Sequence, residues 1–520
     1  MTSLRAIGQR LASGLLQARQ LRQRDQQLLS KGGLIDVIGT GGTLTAAYEQ
    51  LRNAAENSEE HLLLQNAIKR FYRQIFLAND EKRLAESGNE LVIELTQAGY
   101  VPNNSLRKAQ AEEITTRAAA YATLYDQLKR QRGVSEMVAL RWVIEVLAVE
   151  IAQIVQPRYE DEVFVNFAYE YFSSIIPAST VEKTEDFGAA LFVAIHRALL
   201  KSDSAGMRTQ LLRRYGVQPE QTEWFMEYNR RIDMLIEAPV VDRLYHTVDR
   251  QGAPLRVLWR MIASDDTLPE LLGKRSAFLN AFEHQVTQEY SRIATRINRA
   301  VVRSVIFLLI TKVLIGVAIE VPYDLMAHGA VLWVPLAINL LFPPIYMVLL
   351  RFTLAMPGRS NTAALVERID AMLYGGNKVT LSKVDIGQKR YSMVFSVGYG
   401  VASLIILGLV AWLLVALQFS FVHIIIFMVF ISAASFLSFR LGHLVRELEL
   451  VRSRSNGVTM VRDFIYLPFV VIGQWMSDKY SKMNIITIVL DVLIEMPLKT
   501  ILRLFRQWNA FIDERKDDLI

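Results

Sequence analysis

The chain has 520 residues, 52% of them hydrophobic, and 58 Lys+Arg against 52 Asp+Glu give a formal net charge of +6. That length exceeds one compact domain, and the modest basic excess, with no dense Lys/Arg tract interleaved with aromatics, speaks against a nucleic-acid partner. The absence of cysteine removes disulfides, thiolate metal sites and a cysteine nucleophile together, and 7 scattered histidines point to no metal and no cofactor.

Residues 1–31 carry Arg5, Arg10, Arg19, Arg22, Arg24 and Lys31 against Asp25 alone, with Leu4, Ile7, Leu11 and Leu15 on one helical face. They lack the continuous apolar core of a secretory signal. The expectation is an amphipathic helix that docks on the protein's own helices or on anionic lipid, with an organellar presequence as the alternative. Residues 32–45 form a glycine-rich stretch, in which Gly39, Gly41 and Gly42 lack the lysine and the spacing of a phosphate-binding loop. A hinge is the expected role.

Residues 46–272 read as helical almost throughout. Apolar positions recur at three and four along His61 to Leu77, Leu106 to Arg130, Glu136 to Val155, Phe187 to Leu200 and Glu223 to Ile236. Breaks fall at Pro102, Pro157, Pro177, Pro219 and Pro254, where proline ends a helix, and Pro102 marks a possible sub-boundary. Residues 134–155 are apolar, but Glu136, Arg141, Glu145 and Glu150 make them a core helix rather than a span. The aromatics Phe164, Phe167, Tyr169, Tyr171 and Phe172 are expected in the core, and Glu160, Asp161 and Glu162 on solvated surface.

The segment 273–303 enters the membrane without a breaker. Arg292, Arg296, Arg299 and Arg303 follow spacings of four, three and four and line one face, suited to anionic lipid headgroups at about 1 kcal/mol each. Four apolar stretches follow, Val301 to Val321, Ala330 to Leu350, Met393 to Leu417 and Phe419 to Phe439. Each is long enough for a helix to cross about 30 Å of hydrocarbon. They are expected to pair as two hairpins, 301–350 and 393–439.

The loops fix orientation. Residues 322–329 contain no Lys or Arg, whereas 351–392 hold Arg351, Arg359, Arg368, Lys378, Lys383, Lys389 and Arg390, and 440–463 hold Arg440, Arg446, Arg452, Arg454 and Arg462. Positive charge stays inside. The reading is a bacterial-type inner-membrane protein with both termini cytoplasmic; in a mitochondrial inner membrane the same face is the matrix. In residues 464–520, Phe464 to Met476 is short and contains Pro468, as a re-entrant or interfacial segment does. An amphipathic helix then follows, in which Asp491, Glu495, Lys499 and Arg503 stand at i,i+4 spacings. A charged inner mouth is its sharper reading.

Few residues inside the spans are polar. Lys312 lies about 15 Å from the inner end of the first, too deep for easy snorkelling, and Asn339 reaches nearly the same depth, so its side-chain oxygen is placed to accept from Lys312. Pro343 and Pro344 free backbone carbonyls in the second span, as broken transporter helices do. Gly398, Gly400, Ala402 and Gly408 offer small-residue faces for close packing in the third. His423 is expected at the interface.

The fold class is therefore all-α, a large cytoplasmic helical domain followed by a four-helix transmembrane bundle and a C-terminal re-entrant or interfacial region. The proportions and the missing catalytic motifs favour a membrane-anchored scaffold or assembly factor, not an enzyme, with protein partners on its cytoplasmic domain. An ion or solute channel or carrier built on Lys312, Asn339, Pro343 and Pro344 is the alternative. A homo-oligomer suits it, because four helices enclose little. A lipid-modifying enzyme comes last, since no HExxH or GxSxG is present.

Overall fold

Apolar residues at three- and four-residue intervals fold as helices, and among the described residues there is no strand, only an isolated bridge between Leu34 and Arg107. The structure is a computed structural model that describes residues 4–37, 49, 60–176, 186–354, 356–375, 393–451 and 457–483. The chain divides into two compact units, one of Gln9–Val248 and one in which Asp249–Met483 join the first residues up to Gly8.

In chain order the first unit draws on α1 (Ala6–Ser30), α2 (Glu60–Ala78), α3 (Glu81–Ala85), α4 (Ser87–Gln97), α5 (Lys108–Arg130), α6 (Glu136–Val155), α7 (Tyr159–Ile175), α8 (Phe187–Ile195), α9 (Ser204–Arg214), α10 (Thr222–Ile236) and α11 (Pro239–Gln251). Helix α6 is its core. Ser135 caps it by accepting from the Val138 amide, Glu136 complements the N-terminal dipole, and Val143, Leu147 and Ile151 are fully buried. It packs against α2, α5 and α9, and each such side chain contributes about 1.5–3 kcal/mol by burial.

The charges that keep α6 out of the lipid reading find partners instead: Glu145 meets Arg208, and Glu150 lies 3.5 Å from Arg117. At the α4–α5 crossing, a Cβ on Gly88 would stand 1.9 Å from the Ala111 carbonyl oxygen, so only glycine lets the two backbones approach. The basic N-terminal helix α1 docks on α7, with Leu11, Leu15 and Ala18 buried and Asp25 accepting from the Tyr159 hydroxyl at 2.6 Å. Glu160 pairs with Arg22, so the acidic run is not all solvated surface. Phe164, Phe167, Tyr171 and Phe172 are buried. Of the glycine-rich stretch, Gly32 and Gly33 adopt positive φ of 91° and 75°, whereas Gly39, Gly41 and Gly42 lie outside the described residues.

The second unit contains α12 (Ala253–Ser264), α13 (Leu268–Leu272), α14 (Arg275–Ile315), α15 (Val321–His328), α16 (Trp333–Phe352), α17 (Arg359–Leu373), α18 (Met393–Ala416), α19 (Phe421–Arg446) and α20 (Gly457–Met483). A π-helical turn at Gly316–Glu320 fuses α14 and α15 into one 54-residue helix, Arg275–His328. Four helices are long and apolar enough to span a membrane, Arg275–His328, Trp333–Phe352, Val397–Ala416 and Phe421–Arg446, consistent with an integral membrane protein. The first apolar stretch therefore belongs to a helix that continues past Val321 to His328. Exposed Phe307, Leu314, Trp333, Leu404 and Trp412 suit hydrocarbon.

Burial ranks the spans. Half of the α19 window is buried, against 6% of the α18 window, so α19 is central and α18 peripheral. Gln418, at φ 63°, turns the chain between them, and Ser420 caps α19 by accepting from the His423 amide. The small residues of α18 do not make the close packing expected of them, because a Cβ on Gly398, Gly400 or Gly408 meets nothing within 4 Å. The close approach lies elsewhere, at Gly473 of α20, where a Cβ would stand 2.3 Å from the Ser432 carbonyl oxygen. Helix α20 runs unbroken through Pro468.

Outside the spans, Asn361 of α17 fastens three segments. Its Nδ2 donates to the Tyr290 hydroxyl and the Leu448 carbonyl, both at 2.8 Å, and its Oδ1 accepts from the Leu450 and Val451 amides at 2.7 and 3.0 Å. All of its hydrogen-bonding capacity is satisfied while it is only 2% exposed.

Candidate functional site

Along the first span helix the buried residues Leu308, Lys312, Gly316, Glu320 and Asp324 recur every fourth position. In a regular α-helix, at about 100° per residue, Lys312 and Glu320 would diverge by roughly 80°. The π turn at Gly316–Glu320 absorbs an extra residue and rotates the later segment back by about that angle, which brings Glu320 and Asp324 onto the face of Lys312.

The five polar side chains that meet there come from three helices. Lys312 Nζ donates to Glu320 Oε1 at 3.1 Å and sits 4.6 Å from the centre of the Phe430 ring. Asn339 Nδ2 donates to the same Glu320 oxygen at 3.3 Å and to the His423 carbonyl at 3.2 Å, which ties α16 to α19. His423 Nε2 lies 3.5 Å from Asp324 Oδ2 and 3.9 Å from Glu320 Oε2, while its Nδ1 is 2.7 Å from Ser420 Oγ. Asp324 Oδ2 also accepts from the Leu332 amide at 3.0 Å, and His328 Nδ1 is 3.9 Å from its other oxygen.

The cluster is buried, with Lys312, Glu320, Asp324, Asn339 and His423 each 2% exposed or less. Three of its atoms, Asp324 Oδ1, Asn339 Oδ1 and His423 Nε2, make no hydrogen bond. One lysine faces two carboxylates. The group is electrically neutral only when one further proton is held, on His423, on a carboxyl or on His328 beside Asp324, and a net charge in so apolar a place is costly. Among the described residues no group of His, Asp and Glu is arranged to hold a metal ion.

Lys312 and Asn339 are thus brought together, though not as the sequence suggests: both donate to Glu320, and the Asn339 oxygen does not receive the lysine. Pro343 and Pro344 are buried within the unbroken helix α16, a turn beyond Asn339. His423, three residues into α19, is 0% exposed and faces the interior of the bundle. Glu320 and Asp324 are the residues sequence reasoning passes over, because they stand where the apolar stretch ends. Their signal is the four-residue register running from Leu308. Arg292, Arg296, Arg299 and Arg303 are exposed along α14, Arg292 being 3.0 Å from Glu289, while Asp491, Glu495, Lys499 and Arg503 lie outside the described residues. No protein-family model, curated protein or solved structure matches the chain.

Proposed function

We propose that the chain is a proton-coupled carrier or channel of a bacterial-type inner membrane, with its N-terminal helical unit in the cytoplasm. The observation that carries this reading is the sealed cluster of Lys312, Glu320, Asp324 and His423, which needs one extra proton to be neutral. Intramembrane ionisable groups are expensive and mark ion or proton pathways. With the extra proton bound, between His423 and the two carboxylates, the closed bundle is neutral and stable. Loss of the proton leaves a negative charge in a medium of low dielectric, which favours a state that admits water or a cation. The loop charges support the orientation, through Arg351, Arg359 and Arg368 on one side and an absence of Lys and Arg in 322–329 on the other.

The test is voltage-driven proton flux into liposomes containing the purified protein, followed with a trapped pH dye. Glu320→Gln, which needs no extra proton for neutrality, is expected to lower the flux about tenfold, equivalent to about 1.4 kcal/mol in a barrier. Flux identical in wild type, Glu320→Gln and protein-free liposomes would discard the reading.

A membrane-anchored scaffold is the second reading, and one observation favours it. On the unit of Gln9–Val248, Trp224 is 56% exposed and Met234 69% exposed on one helix, with Trp224 stacked on Tyr228 at 5.9 Å. Exposed aromatics of this kind anchor protein interfaces. Photocrosslinking from position 224 in cells, with and without Met234→Lys, tests it; no adduct in either case would remove it.

A further inference from the structure

We infer that α20 is a fifth membrane-crossing helix, antiparallel to α19, so that the chain beyond Met483 starts on the side opposite the α19–α20 connection. The pair α19–α20 is the most extensive helix packing among the described residues. Its tightest point is Gly473, where a Cβ would stand 2.3 Å from the Ser432 carbonyl oxygen and 2.6 Å from the Phe436 Cβ. Around it, Phe469 joins Leu414, Phe419, Phe427 and Ile431 in one buried apolar cluster. Ser432 stands fourteen residues before the end of α19 at Arg446, about 21 Å along the axis. Gly473 stands sixteen residues after the start of α20 at Gly457, about 24 Å.

The connection decides the direction. The chain continues to wind past Arg446, with the Glu449 amide bonded to the Arg446 carbonyl, and the Leu450 and Val451 amides are held by Asn361. From Val451 to Gly457 six residues reach at most about 21 Å. A parallel α20 would place Gly457 some 45 Å from the level of Arg446, beyond that reach. An antiparallel α20 puts the two nearly equal arms side by side. Met483, ten residues past Gly473, then comes level with the beginning of α19 at Phe421, about 15 Å beyond the contact.

The composition of α20 fits a short crossing. Phe464 to Met476 is apolar, flanked by Arg462 and Asp463 at one end and Asp478 and Lys479 at the other, with Trp475 exposed near the second boundary. Thirteen residues span only about 20 Å, so flanking charges must snorkel or the bilayer thin locally.

The absence of native cysteine makes the test clean. Val451→Cys, Asp478→Cys and Lys479→Cys are introduced singly into the full chain and labelled with a membrane-impermeant maleimide in sealed vesicles of both orientations. Val451→Cys should label from one side, and Asp478→Cys and Lys479→Cys only from the other. Labelling of Asp478→Cys or Lys479→Cys from the same side as Val451→Cys, or shielding of both from either side, would overturn the crossing.

Discussion

Lys312 Nζ and Glu320 Oε1 lie 3.1 Å apart with both side chains 1% exposed, an ion pair formed within a single helix across a π turn. Breaking such a pair costs about 3–5 kcal/mol, because the remaining charge stays buried. The two halves of the pair should not be equivalent. Lys312→Met leaves two carboxylates and no cation, whereas Glu320→Gln leaves one lysine with Asp324 and keeps an acceptor for the ammonium. Unfolding in detergent micelles should therefore show the larger loss for Lys312→Met, with Lys312→Met/Glu320→Gln recovering part of it. Equal single losses that simply add would contradict the charge balance.

How much of this was legible in the sequence follows from what each feature depends on. Bilayer thickness constrains length and composition directly, so the four spans could be read from hydropathy, and depth counting singled out Lys312 and Asn339. Glu320 and Asp324 could not be read the same way. Glu320 stands at the very end of the apolar stretch and Asp324 just beyond it, and their alignment with Lys312 depends on a π turn for which Gly316 is the one local hint. The role of His423 depends on how α16 and α19 pack, and Gly473 outranks the glycines of α18 for the same reason: close approach belongs to a pair of helices.

That pairing can be tested at Gly473. Any side chain there must displace the Ser432 backbone or the Phe436 Cβ. Gly473→Leu is expected to destabilise by at least about 1–3 kcal/mol, the ordinary cost of overpacking. Gly408→Leu, where a Cβ meets nothing within 4 Å, should be neutral or slightly stabilising through helix propensity. Thermal melting of the two variants in the same micelle is the comparison, and a Gly473→Leu protein as stable as wild type would mean the helices do not touch there.

In the Gln9–Val248 unit the corresponding keystone is Arg208, 2% exposed. Its Nε donates to Glu145 Oε2 and its Nη1 to Asn229 Oδ1, both at 2.8 Å, and its Nη2 donates to Asp233. Asp233 in turn accepts from Trp142 Nε1 at 2.8 Å. A planar fork serves three acceptors on α6 and α10, which an ammonium group cannot imitate. Arg208→Met should cost about 3 kcal/mol, and Arg208→Lys should recover less than half of that. Denaturant unfolding followed by tryptophan fluorescence checks both, and full rescue by lysine would show that charge rather than geometry matters.

The same unit contains two groups that titrate against each other. Burial holds the His196 imidazole down at about 4, with its ring 4.6 Å from Phe192. Burial also pushes the Asp161 carboxyl up to about 6. Between pH 4 and 6.5 the unfolded chain takes up a proton at His196 that the folded unit refuses, so this group makes stability rise with pH. Between pH 3.8 and 6 the folded unit keeps a proton on Asp161 that the unfolded chain has lost, so this group makes stability fall with pH. Each effect is about 3 kcal/mol over its window, and in the wild type they largely cancel. His196→Asn should therefore expose a stability that falls as pH rises from 4 to 6, and Asp161→Asn one that climbs. Unfolding of the full chain at pH 4, 5, 6 and 7 reads the slopes directly. A pH profile unchanged by either substitution would mean that the two side chains titrate as they do in water.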